Sequence, residues 1–371
     1  MSNFSDLFRS SQGVATPLNV GGLRTWLYYW AAGVFTAPTD IEVVIHAMGP
    51  GGSGGVAMNA GLAGGTEFGM KASGAGAGAR AKKRALLKAG EQLIITPGAG
   101  GASKVGVSGQ RLSGVNGGDT LVTGPNINIV AGGGKGGNAG LITDNVLGGL
   151  GGIATGGDLN IPGGRGGDMP AYANTGTAGN LNFATGGGCV DVFGLNDCNG
   201  GDIPNYSPFA ATSYQYFATG GGSFFGSGGT PASGTSSGAT NGGGWGRSKN
   251  PFGLDVAGTQ RSLPTGFELF GVDAFNAIYG GTTVNGVTSP QVGRGSNAQG
   301  VGDGGNASLS GSPGGFFAGG GAFINNGSTG QPNNGGTCYM GGGSSGGVSR
   351  KAYTCVSGKG GDGWVALEIL S

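Results

Sequence analysis

One phrase returns along the whole chain. Its first clean copy is Gly132-Gly133-Gly134-Lys135-Gly136-Gly137, and Gly163-Gly164-Arg165-Gly166-Gly167-Asp168 repeats it. Further copies stand at 186–188, 220–222, 242–244, 319–321 and 341–343, and the last is Gly358-Lys359-Gly360-Gly361-Asp362-Gly363. Glycine is the residue that loses most freedom on folding, roughly 0.5–1 kcal/mol against alanine in a regular element. Ninety-four glycines in 371 residues would then forfeit on the order of 50–90 kcal/mol, several times a domain's net stability. Two readings survive. Either the glycines are never ordered, or another backbone lies against each one and leaves no room for a Cβ.

Composition decides between them. With 94 glycines and 15 prolines, the chain falls among those that composition alone marks as low-complexity. Yet charged residues are only 10% and the net charge is +1, unlike the highly charged chains that stay solvated. Phe 17, Tyr 9 and Trp 4 are also too many for a spacer. Order is expected. Runs of GGG and GGxGG suit extended helices with three residues per turn, in which glycine sits wherever backbones crowd. Such helices pack side by side and bond laterally through N–H and C=O groups, which must be satisfied when buried. Collagen is excluded, because the strict Gly-X-Y period is missing.

Around the glycine lie ordinary strands. The stretch from Arg24 to Pro38 is aromatic and β-branched and reads as one or two strands. Residues 41–48, 79–87, 92–97 and 120–130 follow, with turns at 88–91 and 117–120. Gly363-Trp364-Val365-Ala366-Leu367-Glu368-Ile369-Leu370 is a strong closing strand whose neighbours are expected among the early ones. Ser5-Asp6-Leu7-Phe8 could open a short helix. The expected fold is therefore mostly β and irregular, with almost no α-helix. A small β-sheet domain closed by N- and C-terminal strands carries a glycine-helix lattice with long loops. The divisions are an N-terminal attachment segment, 1–24, a glycine-rich β domain, 25–130, completed by 358–371, and a lattice with binding loops, 131–357.

The order of these signatures resembles a known family. It runs through Gly33-Val34-Phe35-Thr36-Ala37-Pro38, the strand 41–48 leading into 49–55, Gly90-Glu91-Gln92-Leu93-Ile94-Ile95-Thr96-Pro97-Gly98, Gly117-Gly118-Asp119-Thr120 and Gly360-Gly361-Asp362-Gly363-Trp364-Val365. It is similar to the glycine-rich domain of phage tail fibres and other phage tail proteins. The later GGG runs resemble, in style, the tail-fibre tip adhesins of T-even-like phages, whose helices in polyglycine-II geometry form a sandwich with receptor-touching loops. The inserts at 189–217 and 246–292 are longer than that pattern. The resemblance implies a virion tail protein, made in the host cytoplasm, that binds a bacterial surface receptor, a glycan or an outer-membrane protein, without chemistry. It also implies other phage tail proteins as partners, with the chain either a homotrimer or a monomeric cap on a trimeric fibre. A structural tail or baseplate role is the competing reading.

The candidate receptor-binding residues are the aromatics of the inserts: Tyr206, Phe209, Tyr214, Tyr216, Phe217, Phe252, Phe267, Phe270, Phe275 and Tyr279. Tyr with Ser, Gly and Asn serves binding loops well, giving contact area at little entropy. The alternative is that these rings plug the sides of a thin lattice. The inserts are expected to gather at the end of the lattice away from residues 1–24. Trp26, Tyr28, Tyr29 and Trp30 are the candidate attachment residues. Strand alternation puts Trp26, Tyr28 and Trp30 on one side and Leu27 and Tyr29 on the other, and the segment is expected to face the virion or a neighbouring subunit.

Other chemistries find little footing. A sequence pI of 7.6 removes the case for nucleic acid, which needs a basic face. The cluster Arg80-Ala81-Lys82-Lys83-Arg84 reads as a solvated strand face. GxGxxG patterns arise by chance here, and none follows a strand and opens a helix. Neither Lys135 nor Lys359 completes a phosphate loop. No cofactor or metal site is expected, since the only histidine is His46 and the four cysteines, Cys189, Cys198, Cys338 and Cys355, form no CxxC. They could close loops as 189–198 and 338–355 or remain thiols. Of the acids, Asp191, Asp197, Asp202, Asp255, Glu268 and Asp273 leave paired-carboxylate chemistry formally open, but no spacing singles out a pair. An enzyme is not expected. Met1 to Arg9 holds no apolar leader core, and Trp26 to Phe35 is too short to span a bilayer.

Overall fold

The computed structural model describes residues 18–19, 24–58, 69–172, 181–191, 198–203, 215–222, 268–269, 272–273, 319–320, 322–325, 333–334, 341–349 and 354–370. Among these residues there is no α-helix. The helix expected at 5–8 lies outside them.

The body has three layers along one axis. At one end two sheets face each other. The larger takes strands 18–19, 24–29, 364–370, 41–48, 80–87 and 159–161, in that spatial order. The smaller takes 154–155, 127–131, 120–124, 92–96 and 33–36. The closing strand Trp364–Leu370 lies between Arg24–Tyr29 and Ile41–Met48, antiparallel to both, with Leu367 opposite Leu27 and Ile45. Alternation sends one side chain in two inward, and Tyr29, Phe35, Val43, Ile45, Leu87, Leu93, Ile95, Val122, Ile129, Val365 and Leu367 make a common core. The tight connections follow from their residues. Pro125-Asn126 joins two paired strands, and Asn126 takes φ 56, the left-handed conformation that asparagine tolerates in a turn after proline. Gly90 takes φ 83 in the 88–91 turn.

From these sheets the chain crosses the glycine layer again and again. The bonding of that layer repeats every three residues. The N–H groups of Gly49, Gly52 and Gly55 donate to the carbonyls of Ala79, Gly76 and Ser73. Those of Ser73, Gly76 and Ala79 donate in turn to Asn138, Lys135 and Gly132. On a second side of the same segment, Ala75 and Gly78 donate to Ser344 and Gly341. Every third residue thus returns to one neighbour, as a helix with three residues per turn requires. Glycine is obligatory at the contacts: a Cβ on Gly133 would fall within 2.5 Å of three backbone atoms of Gly117 and Gly118.

The layer also seals its own irregularities. Thr185 Oγ1 accepts from the Gly74 N–H (3.1 Å) and donates to the Gly167 carbonyl (2.7 Å). Thr219 does the same between Gly186 and Gly201. Along its edges, Asx side chains three residues apart take the outward N–H groups. Asn116 and Asp119 accept from Gly136 and Gly133, and Asn199 and Asp202 accept from Arg165 and Asp168. Each such bond spares a donor that has lost its glycine partner.

Segments on both sides of residue 131 belong to this layer, since Gly134 and Gly137 donate to Pro50 and Ser53. The lattice therefore takes in 49–55, 73–79, 98–101 and 113–118 as well as the later runs. At its far end stand three small sheets, with strand order 111–112, 56–58, 347–349, 323–325; 139–141, 70–72, 181–184, 215–218; and 333–334, 355–356, 105–106.

Candidate functional site

The two long inserts leave the lattice at opposite ends. Gln215–Ala218 runs parallel to Leu181–Ala184 and to Met70–Ala72 in the far sheets. The chain then enters the lattice, where Thr219 and Gly222 donate to Ala184 and Gly187. Residues 204–214 therefore attach at the far end. Segment 319–322 runs antiparallel to 219–222, with Gly319 donating to Gly222 and Ala322 to Thr219. Residues 223–318 consequently attach at the end of the two large sheets. The expected gathering of all inserts at one end is corrected by this: the number of crossings between two inserts sets which end each one leaves.

Tyr206, Phe209 and Tyr214 in the first insert lie outside the described residues, as do Phe252, Phe267, Phe270, Phe275 and Tyr279 in the second. Tyr216 and Phe217 are on the strand Gln215–Ala218, in register with Asn182 and Phe183. Glu268–Leu269 pairs antiparallel with Val272–Asp273.

The four attachment candidates divide as alternation requires. Trp26, Tyr28 and Trp30 form a ladder, with ring centroids 6.4 and 6.3 Å apart. Trp364 on the neighbouring strand stands 5.3 Å from Trp30. Tyr29 joins the core on the other face. Trp26, Tyr28 and Tyr29 are buried within this chain. Trp30 is half-buried. His46 belongs to the same face as the ladder, 5.3 Å from the Trp26 ring and 3.7 Å from the Glu368 carboxylate. Burial holds its imidazole below the usual histidine range, with Glu368 acting the other way. It is a buried strand residue.

The basic cluster is distributed in like manner. Arg84 forms a bidentate pair with Glu42, Lys83 lies 3.6 Å from Asp158, and Arg80 is largely enclosed, its guanidinium held below its usual range by burial. Of the acids, Asp191 is buried. Asp202 binds both Arg165 Nη1 (3.0 Å) and Nη2 (2.8 Å) and caps the Asp168 N–H. Glu268 and Asp273 stand in register across their hairpin, and Asp197 and Asp255 lie outside the described residues. Among the described residues no group of three His, Cys, Asp or Glu could hold a metal ion. Cys189, Cys198 and Cys355 are buried, and Cys198 and Cys355 are free thiols; Cys338 lies outside the described residues.

The far end contains one arrangement that the sequence did not announce. Lys71 has no exposed surface. Its ammonium donates to the carbonyl of Asp144 at 2.9 Å and to that of Pro170. It sits 4.5 Å from the centre of the Tyr172 ring and 5.9 Å from that of Phe183, and those two rings stack at 4.9 Å. A cation over an aromatic face, cut off from water, is worth ~2 kcal/mol or more. Burial nonetheless pushes the Lys71 pKa down to about 8, with Asp144 opposing the shift. The two rings belong to a buried cluster with Ile142, Val146, Met169 and Ile203. Val146 and Met169 exchange both backbone bonds, each 2.9 Å, and Tyr172 donates to Ile142.

This cluster ties together three loop bases. Residues 142–147 and 168–172 are fixed directly. Ile203 is the last described residue before the 204–214 insert, and Phe183 is in register with Phe217 just after it. Both ends of the insert are therefore seated on the ground that Lys71 organises. Nothing in Gly69-Met70-Lys71-Ala72-Ser73 marks that lysine, since its partners come from 73 and 99 residues away. A scan against protein-family models and a search of curated proteins each gave no match.

Proposed function

We propose that this protein is a phage tail-fibre or tail-tip receptor-binding protein. In this reading the end of the lattice away from the large sheets meets a bacterial surface receptor, a glycan or an outer-membrane protein, and binds it without chemistry. The observation that carries the proposal is the layering itself. A body made of short, cross-bonded crossings gives many chain reversals at one face, and here the insert with Tyr206, Phe209 and Tyr214 is seated there on a packed base. Binding residues concentrate on loops held by a rigid scaffold, and a few aromatic side chains usually dominate such contacts. The sequence resemblance to tail-fibre tip adhesins points the same way.

The test is an exchange of residues 204–214 for the equivalent insert of a related protein. The set of bacterial strains bound by the purified, labelled protein should change while its melting temperature stays within about 2 °C. The runner-up is a structural tail or baseplate protein. It is favoured by the outer face of the smaller large-end sheet, where Val34 and Ile94 stand in register, each 55% exposed, as an apolar spot for a neighbouring subunit. Unchanged strain binding together with failed particle assembly would decide for it.

A further inference from the structure

We propose that Lys71 is the positioning residue of the receptor-facing end: it holds the 142–147 and 168–172 loops, and with them the buried cluster that includes Phe183 and Ile203, in the arrangement that binds. The proposal rests on the receptor-binding reading above, and adds to it a residue that touches no receptor.

The geometry asks why a lysine is there at all. A fully buried ammonium is expensive unless its donors are taken up. Three directions are accounted for here: the Asp144 carbonyl, the Pro170 carbonyl and the Tyr172 ring. The first two belong to different loops, and the third closes the second loop over the amine. An apolar residue of the same length would fill the space but leave two carbonyls without donors. A buried carbonyl left so loses its bonds to water with nothing in return. The loops would then drift apart to find water. The glycine layer would hold, because the 73–79 segment behind Lys71 is bonded to its own neighbours. A residue that secures loops without securing the body is what a binding surface needs, since ordered loops have less freedom to lose on contact.

The experiment uses the full chain and two substitutions, Lys71→Met and Lys71→Arg. Amide exchange is followed at Val146, Met169 and Tyr172, and binding is read on a panel of intact bacterial strains with fluorescently labelled protein. In Lys71→Met those amides should exchange at least tenfold faster and cell binding should fall at least tenfold, with the melting of the lattice unchanged. Lys71→Arg keeps charge and several donors, and should restore at least part of both. Unchanged exchange in Lys71→Met overturns the positioning role. Faster exchange with wild-type cell binding overturns the link between the cluster and the receptor. Wild-type protein that binds no bacterial surface overturns the adhesin reading itself, while the exchange ratio still reports on the lysine.

Discussion

Gly133→Ala and Gly118→Ala change the same residue type in two neighbouring segments of the lattice, and the structure separates them sharply. Neither glycine lies in the left-handed region, so space alone distinguishes them. At Gly133 the new methyl would meet the carbonyl oxygens of Gly117 and Gly118 and a carbonyl carbon, all within 2.5 Å. At Gly118 its nearest neighbour would be the Ala99 nitrogen at 3.6 Å, an ordinary contact. To admit the first methyl, segments 113–118 and 132–137 must part. Four bonds join segment 132–137 to 113–119: Gly114 to Gly137, Gly117 to Gly134, and the caps from Asp119 and Asn116. Losing two of them at about 1 kcal/mol each, with one or two buried groups left unsatisfied, gives a destabilisation of about 3–5 kcal/mol. Gly118→Ala should stay within about 1 kcal/mol of wild type, because the restriction of the unfolded chain offsets small strain. For a chain of this size a loss of that order corresponds to roughly 4–6 °C in melting temperature. Calorimetry on the two variants and the wild type measures it. Melting temperatures for Gly133→Ala and Gly118→Ala that agree within 2 °C would refute the argument that backbones in contact, and not turn geometry, make these glycines necessary.

Three further outcomes are expected. The Lys71 pKa lies below that of a free lysine, so between about pH 8 and 10.5 the unfolded chain binds more protons than the folded one, and stability rises with pH. Urea titrations of wild type and Lys71→Met across that window should show a wild-type gain of up to about 3 kcal/mol that the variant lacks. Asp202→Ala removes a backbone cap and a bidentate arginine partner, and should cost about 1–2 kcal/mol in chemical denaturation, whereas Asp202→Asn, which keeps an acceptor for the Asp168 N–H, should lose about half as much. Burial pushes the Cys355 thiol up to about 12, so iodoacetamide at pH 8 should leave its peptide unmodified in the native protein and label it fully in denaturant, as read by mass spectrometry.

The fold class was legible because two signals agree. Strand-forming runs such as Ile41–Met48 and Trp364–Leu370 are mostly apolar, and the runs of glycine between them exclude any element that needs side chains to pack. The division of Trp26, Tyr28 and Trp30 from Leu27 and Tyr29 follows from the pleat alone. What could not be read is partnership. Gly54 donates to Ser344 Oγ across 290 residues, and a glycine carries no side chain whose pattern would betray its neighbour. Segment 49–55 therefore looks like a loop in sequence and is lattice in space. The same silence hides the end from which an insert leaves, because that depends on counting crossings. Lys71 was missed for a related reason: a carbonyl acceptor belongs to every residue, so the bonds that trap the ammonium leave no compositional trace.

The three-residue recurrence of the lattice bonds sets a rule for how such a chain can change length. Removing one residue between Gly49 and Gly55 turns the remainder of that segment by about 120°. The N–H groups of Gly52 and Gly55 would then aim at the wrong neighbours, and glycines and bulky residues would trade places at the contacts. Removing three restores the phase, provided the crossing segments shorten with it. Insertions and deletions inside the body should therefore come in threes and in concert. In the reversals at either end they are free to be of any length, so variation in size collects there while the body keeps its phase.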